Sequence, residues 1–461
     1  MLKTTTVSIN RLKESDRFEP DFWVIGDFID SVLQHHTHKK ISQYSKFVKK
    51  GIFDLKAEKY QTSGIPFLRI SNLKYFELGT EDLVYISEED NKINSKTVLR
   101  HGDIAFSKIG TLGKILRIGK RFTEVNISQN LIGAGFKKET NKNYIFAYLL
   151  SKLALLQIKK NKKKQLQDKL NLDDIRNIEV VELPEVKIKK ISELVEKAEE
   201  KAEKSLSILE QAQQLFYKKI DIDFSKIQKE KTYSVNLSDF AKNDLWTPSF
   251  SYPLYLNTLK TIQKKWKTIS LGEIATIKKG DEVGSDNYNK YLDKKETDIP
   301  FIRTSDLVNY EIDQFPDFYI PEEIYQELKQ DINAGDVIFT KDGKIGMSAM
   351  MSKNDTTIIA SGMVRIRLKI EAKKFNLTPE YLFVILSLKE TGLYPAIRRT
   401  VIASTIPHLR EERLKEFEIP ILDKNSIDEI TKMVKEAYEL KDEKKKIIKE
   451  VRKTIDDYFN I

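Results

Sequence analysis

Short runs of β-branched and aromatic residues recur along the chain, as at Ile65 to Ile70 and Asp103 to Phe106. Gly and Asn bound them, and they are too short for helices, so they predict strands. Each series of strands leads into a stretch with helical spacing, Tyr144 to Leu156 and later Tyr381 to Leu388. A proline follows, Pro184 or Pro420, and then a long charged segment with no internal Pro or Gly. In the first such segment Ile188, Ile191, Val195, Ala198, Ala202, Ser205, Leu209, Ala212 and Phe216 fall at alternating spacings of three and four, the seam of a coiled coil. In the second, Ile427, Ile430, Val434, Ala437, Ile448, Val451 and Ile455 repeat the pattern, interrupted by Lys441 and Lys444. Two apolar stripes of similar length predict two long helices packed antiparallel on each other. A helix of about 30 residues at about 1.5 Å each is about 45 Å long, one turn of B-DNA or slightly more. The alternative is that each helix packs on its own globule.

The order of elements repeats because the sequence does. Pro66-Phe-Leu-Arg-Ile-Ser-Asn-Leu73 is answered by Pro300-Phe-Ile-Arg-Thr-Ser-Asp-Leu307. Gly102-Asp-Ile-Ala-Phe-Ser-Lys-Ile-Gly110, with Gly113 beyond, is answered by Gly335-Asp-Val-Ile-Phe-Thr-Lys-Asp-Gly343, with Gly346 beyond. Further out, Glu19 to Phe22 faces Thr247 to Phe250, Ile41-Ser42 leading to Lys50-Gly51 faces Ile269-Ser270 leading to Lys279-Gly280, and Leu170 to Pro184 faces Ile406 to Pro420. The reading is an α+β chain: two duplicated mixed α/β domains, 1–184 and 221–420, separated by two long antiparallel helices, 185–220 and 421–461, that form a coiled coil with pseudo-two-fold symmetry.

Composition narrows the function classes. In 461 residues the net charge is +10, which favours a polyanionic partner without requiring one. There is no Cys, so disulfides, Cys-based zinc sites and thiol chemistry are excluded, and no apolar run approaches a membrane span; a cytoplasmic protein with no membrane partner is expected. Catalytic motifs are missing. Gly110-Thr-Leu-Gly113-Lys114 is too short for a nucleotide-phosphate loop, and Gly133-Ala-Gly135 lacks the third glycine of a dinucleotide loop. The Pro-Pro of DNA amino-methyltransferase sites does not occur. His35, His36 and His38 form a polar surface run, and no metal site is expected. Asp317 with Glu327 and Lys329 imitates a nuclease set, but the first copy has Val84, Asn94 and Lys96 there, so it reads as scaffold.

The two globules, each followed by a long helix, resemble the specificity subunits of type I restriction-modification systems. The Gly-Asp-Ile/Val segments leading to Gly113 and Gly346 support the resemblance, as do the polar runs with an Ile-Pro type exit at Gln165 to Pro184 and Ser404 to Pro420. The first copy departs from the family at Lys162-Lys-Lys-Gln-Leu-Gln, where small hydroxyl residues are common. The resemblance implies a chain that is not itself an enzyme: each globule is a target-recognition domain reading one half of a split DNA sequence in double-stranded DNA. Two modification subunits supply S-adenosylmethionine and methyl transfer, and restriction and translocase subunits use ATP and Mg²⁺, so no cofactor is expected in this chain. The competing reading is a scaffold whose duplicated globules bind proteins.

Polar residues shared by the copies, Arg69 with Arg303, Ser71 with Ser305 and Lys108 with Lys341, are expected to serve folding or phosphate binding, with Asn72 and Lys114 beside them. Residues that differ are expected to read bases: Thr111 against Lys344, and Gln129 and Asn130 against Gly362 and Met363. Such residues also occur in turns for backbone reasons alone. Arg398, Arg399, Ser404, Thr405 and His408 form a basic, hydroxyl-rich loop that is a further DNA-contact candidate.

Overall fold

The computed structural model describes residues 6–9, 12, 18–74, 76–109, 113–160, 169–241, 245–282, 298–313, 315–402 and 406–461. The chain divides into two units, residues 1–203 with 443–461 and residues 204–442, so each unit takes part of both long helices.

In unit 1, α1 (Pro20–Leu33) precedes β1 (His38–Lys40) and β2 (Ser45–Lys50). The strands β3 (Ile65–Leu68), β4 (Val84–Ile86), β5 (Leu99–Arg100), β6 (Ile104–Ser107), β7 (Ile115–Arg117), β8 (Glu124–Ile127) and β9 (Leu131–Phe136) follow. They form two sheets, in the orders β2-β9-β6-β7 and β4-β3-β8-β5. After α2 (Lys142–Leu149), β10 (Glu179–Val181) pairs antiparallel with β1 and the chain runs into α3 (Glu185–Ile220).

In unit 2, α4 (Pro253–Lys265), β11 (Thr268–Ser270) and β12 (Ala275–Lys279) come first. Next are β13 (Ile299–Ile302), β14 (Leu307–Val308), β15 (Glu311–Ile312), β16 (Phe318–Ile320), β17 (Val337–Thr340), β18 (Ser348–Met350), β19 (Ile358–Ile359) and β20 (Met363–Leu368). The sheets run β12-β20-β17-β18 and β16-β13-β19, and β14 and β15 make a hairpin. After α5 (Pro379–Ser387) come β21 (Val401–Ile402), β22 (Pro407–His408), β23 (Glu418–Pro420), which pairs with β11, and α6 (Lys424–Tyr458).

The repeated motifs coincide with turns that need those residue types. Gly102 and Gly335 have φ of 83° and 87°, and Gly113 and Gly346 have φ of 86° and 89°, the left-handed region where a Cβ is strained. The Asp after the first glycine closes the same turn in each unit: Asp103 accepts the Arg100 amide at 3.0 Å and Asp336 the Asn333 amide at 2.7 Å. Tyr144 and Tyr381 both donate a hydroxyl hydrogen bond to the strand before the long helix, at Val181 and Pro420.

The hydrogen bonds revise the alignment of the copies. Leu170 donates to the Lys108 carbonyl as Leu409 does to Lys341, and Ile41 bonds the Ile178 carbonyl as Leu271 bonds Phe417. Leu170 therefore corresponds to Leu409 rather than Ile406, and Ile41 to Leu271 rather than Ile269. A bulge between Ser45 and Phe47 absorbs the extra residue before Lys50 and Lys279 come back into register. Pro420 pairs with Thr268 inside a strand and is not the residue before a helix; Asp423 caps α6 by accepting the Ser426 amide at 3.0 Å.

Charge pairs give the direction of the long helices within each unit. In unit 1, Lys190 lies 3.6 Å from Glu450 and Lys201 pairs with Glu443. In unit 2, Lys204 lies 3.3 Å from Glu436 and Lys219 lies 3.0 Å from Glu429. One partner's number rises as the other's falls, so α3 and α6 run antiparallel in each unit. The seam residues Leu209, Ala212, Phe216, Ile427, Ile430, Val434 and Ala437 share the unit 2 core with Tyr381 and Phe383. Lys441 and Lys444 do not break the seam. Both are buried: Lys441 bonds the Asn309 carbonyl at 2.9 Å and Glu311 at 3.2 Å, and Lys444 pairs with Glu77. His36 is not a bare surface residue either, because its ring packs against Tyr458, tilted, and Phe459, edge-on.

Candidate nucleic-acid interface

In unit 1 the ends of three strands meet at one turn. Lys50 of β2 pairs with Ile132, and Ile132 pairs with Phe106 of β6. The β8-β9 turn holds Gln129 and Asn130, both half-buried. Lys108 fixes the turn from one side, its amide donating to the Asn130 carbonyl at 3.0 Å and its ammonium to the Gln129 carbonyl at 3.4 Å. On the other side Ile52 donates to Ile127 at 2.8 Å and Gly51 to Leu131 at 3.2 Å. Only glycine fits at 51, because a Cβ there would lie 2.2 Å from the Ser128 carbonyl oxygen. Gly280 meets the same constraint in unit 2, 2.4 Å from the Ala360 oxygen.

The electrostatics of this corner differ between the units. Burial holds the Lys108 ammonium below the usual lysine range, and the nearby charges of Lys50 and Lys169 add to the effect. Lys50 and Lys169 are exposed, and an anion bound near these three cations would relieve their mutual repulsion. In unit 2 the corner is neutralised from within. Lys341 is 1% exposed and lies 3.1 Å from Asp342 and 3.5 Å from Glu411, while Asp342 accepts His408 Nδ1 at 2.5 Å. Asp342 stands where unit 1 has Ile109, and His408 where it has Lys169, as their isolated bridges show.

Several expected contact residues have other jobs. Asn72 is buried; it accepts the Arg69 amide at 2.9 Å and donates to Gly79 and Asp82, so it builds a turn and is not at the surface. Asp306 does the same for Arg303 at 2.9 Å. Arg69 pairs with Asp82, and Arg303 with Asp317 at 3.2 Å while lying 3.9 Å over the Phe318 ring. The nuclease-like Asp317 is thereby tied up in scaffold; its counterpart in strand register is Leu83, not Val84. Lys114 is buried, as is Lys341, and neither can approach a duplex without unpacking. Ser71, Ser305 and Lys344 are exposed. Asn130 corresponds to Gly362 and Gln129 to Ser361, one position away from the expected pairing with Gly362 and Met363, because Lys341 bonds Gly362 as Lys108 bonds Asn130. Thr111, Ser404 and Thr405 lie outside the described residues, as does Lys162 to Gln167.

Arg398 and Arg399, expected in a loop, lie at the end of a helix (Tyr394–Arg399) and are likewise engaged within unit 2. Arg398 donates to the Phe250 carbonyl at 2.8 Å and packs 4.3 Å over the Phe250 ring, and burial, with Arg399 beside it, pushes its pKa down to about 10. Arg399 is buried against Glu416 at 2.9 Å. Replacing Arg398 and Arg399 by alanine is therefore expected to lower stability and leave the salt dependence of DNA binding unchanged. Lys50→Ala with Lys169→Ala is expected to reduce the slope of log affinity against log salt by up to about 2, at about 0.9 per phosphate contact. Titrating the full chain against a duplex over a salt series decides between them; equal slopes for wild type and the lysine variant would remove that corner from the interface. Nothing local in the sequence distinguishes Lys50 and Lys169 from the many other lysines; only the fold brings them near Lys108. Among the described residues no group of His, Asp or Glu side chains is arranged to hold a metal ion, and no helix is long and apolar enough to cross a membrane.

Residues 263–453 match the family described as type I restriction modification DNA specificity domain. That stretch is similar to a specificity domain of this kind. The match takes in the sheets of unit 2, its Lys341, Asp342 and His408 corner, and most of α6. Comparison with curated proteins finds no match. Among solved structures, the chain is similar to the type I restriction-modification S subunit from M. genitalium, at 14% identity and a TM-score of 0.36, covering 91% of this chain and 94% of that one. It is also similar to the HsdS subunit from Thermoanaerobacter tengcongensis, at 12% identity and a TM-score of 0.28, covering 92% and 96%.

Proposed function

We propose that the chain is the DNA-specificity subunit of a type I restriction-modification complex, with units 1 and 2 as duplicated target-recognition domains. Each reads one half of a bipartite, asymmetric target in double-stranded DNA. The antiparallel helices act as a coiled coil that sets the unread spacer, and the two halves are related by a pseudo-two-fold axis. The observation that carries the reading is the recurrence in unit 1 of the strand order, Gly-Asp turn and tyrosine contact of the specificity domain in unit 2. A repeated module holding its own variable corner suits a target of two unlike halves.

The chain's share of the work is binding and positioning. Lysines such as Lys50 and Lys169 meet phosphates, while Gln129 and Asn130 present side-chain amides able to pair with adenine. Two modification subunits would bring S-adenosylmethionine and the methyl-transfer site, and restriction and translocase subunits would bring ATP, Mg²⁺ and cleavage. The test is to map methylated bases in host DNA with the gene intact, deleted, and carrying one unit exchanged for a relative's. Deletion is expected to abolish one split motif, and exchange to alter one half of it. A methylation pattern indifferent to the gene, with its partners expressed, refutes the reading.

A further inference from the structure

Phe53 is 85% exposed, although a phenyl ring gains by leaving water. Its backbone is firmly placed. Gly51 and Ile52 just before it are buried and bonded to Leu131 and Ile127, and Ile52 bridges to Ser128 in parallel register. Asp54 just after it adopts a left-handed φ of 52°, which turns the chain back. Residue 53 thus follows directly on a backbone stretch bonded to the turn that carries Gln129 and Asn130.

Its neighbours limit what can cover it. Lys50 lies three residues earlier and is exposed, Lys108 donates to the Gln129 carbonyl, and Lys169 contributes to the same charge cluster. An apolar protein surface laid over the ring would bury these ammonium groups without counter-charges, which is costly. A duplex offers phosphates for the ammonium groups and apolar base surface for the ring within the same few ångströms. We propose that Phe53 is a base-contacting residue of unit 1, its ring packed on the apolar surface of a base in one half-site while Lys50, Lys108 and Lys169 hold the flanking phosphates. The inference rests on the specificity reading above. The apolar surface is either the methyl group of a thymine in an intact stack or the face of a base exposed by opening a step.

The experiment maps methylated bases in host strains carrying the intact gene, a deletion, Phe53→Ala or Phe53→Tyr. If deletion removes no motif, the specificity reading fails and takes this inference with it. If the motif depends on the gene, Phe53→Ala is expected to lower occupancy at least tenfold or to relax one or two positions in one half-site only, and Phe53→Tyr to restore it. Occupancy within twofold of wild type at every site overturns the inference and leaves the specificity reading intact. A uniform loss over both half-sites that tyrosine does not rescue also overturns it. The complex purified from the host then distinguishes the two sources of apolar surface. A tenfold loss of affinity for a duplex with deoxyuridine at one thymine position, seen with wild type and absent in Phe53→Ala, identifies the methyl group. A several-fold rise in 2-aminopurine fluorescence, again dependent on Phe53, identifies an opened step.

Discussion

Alanine at position 51 is expected to destabilise unit 1 by at least about 3 kcal/mol while unit 2 keeps its stability. The added Cβ would sit 2.2 Å from the Ser128 oxygen and 2.3 Å from the Ile127 oxygen, and both obstacles are backbone in a strand and its turn. A flexible side chain could move aside at little cost, whereas this backbone is held by the pairing of β3 with β8 and of β6 with β9. Relief would have to come from breaking the Gly51 to Leu131 and Ile52 to Ile127 hydrogen bonds, which also anchor the turn bearing Gln129 and Asn130. Peptide-resolved hydrogen exchange in a urea series checks this: residues 45–52 and 124–136 should lose protection at lower urea than in wild type, with 337–368 unchanged. Wild-type protection of those peptides would mean that the close approach is not a constraint. Gly280→Ala should give the mirror result, since its Cβ would meet the Ile359 and Ala360 oxygens at 2.4 Å.

The second large effect is expected in the middle of α6. Lys441 is 1% exposed with its ammonium 3.2 Å from Glu311 and 2.9 Å from the Asn309 carbonyl. Glu311→Leu removes that carboxylate from a buried charge and is expected to cost unit 2 about 3–5 kcal/mol. Replacing both partners together, Lys441→Met with Glu311→Leu, should recover most of the loss, because no charge then needs compensation and the shape is nearly kept. Thermal unfolding of the four chains, wild type, two single variants and the double, forms a thermodynamic cycle. Additive losses would show that the pair is uncoupled.

Much of the fold could be read from residue pattern. The strands around Gly102 and Gly335 were legible because a left-handed glycine followed by a turn-closing Asp is a local requirement, repeated wherever the turn recurs. The two long helices were legible because an apolar seam at spacings of three and four extends over many turns. The interface was read less well. Arg69, Asn72, Lys341 and Arg399 have the residue types that contact DNA, yet they are used to close turns and neutralise carboxylates inside the units. A sequence shows that an arginine is present; whether its charge is already spent depends on residues such as Glu416 or Asp82, separated from it along the chain and brought close by folding.

The sequence alone determined a mixed chain of helices and strands with a repeated motif order, two amphipathic helices, no cysteine chemistry and a net positive charge, because periodicity, turn residues and composition are properties of neighbours in the chain. Tertiary structure decided the register between the copies, the burial of Lys441 and Lys444, and the contrast between an open cationic corner at Lys50, Lys108 and Lys169 and a neutralised one at Lys341, Asp342 and His408. Each of these depends on which distant strand ends and side chains meet, and electrostatic interactions are set by separation in space, which folding alone determines.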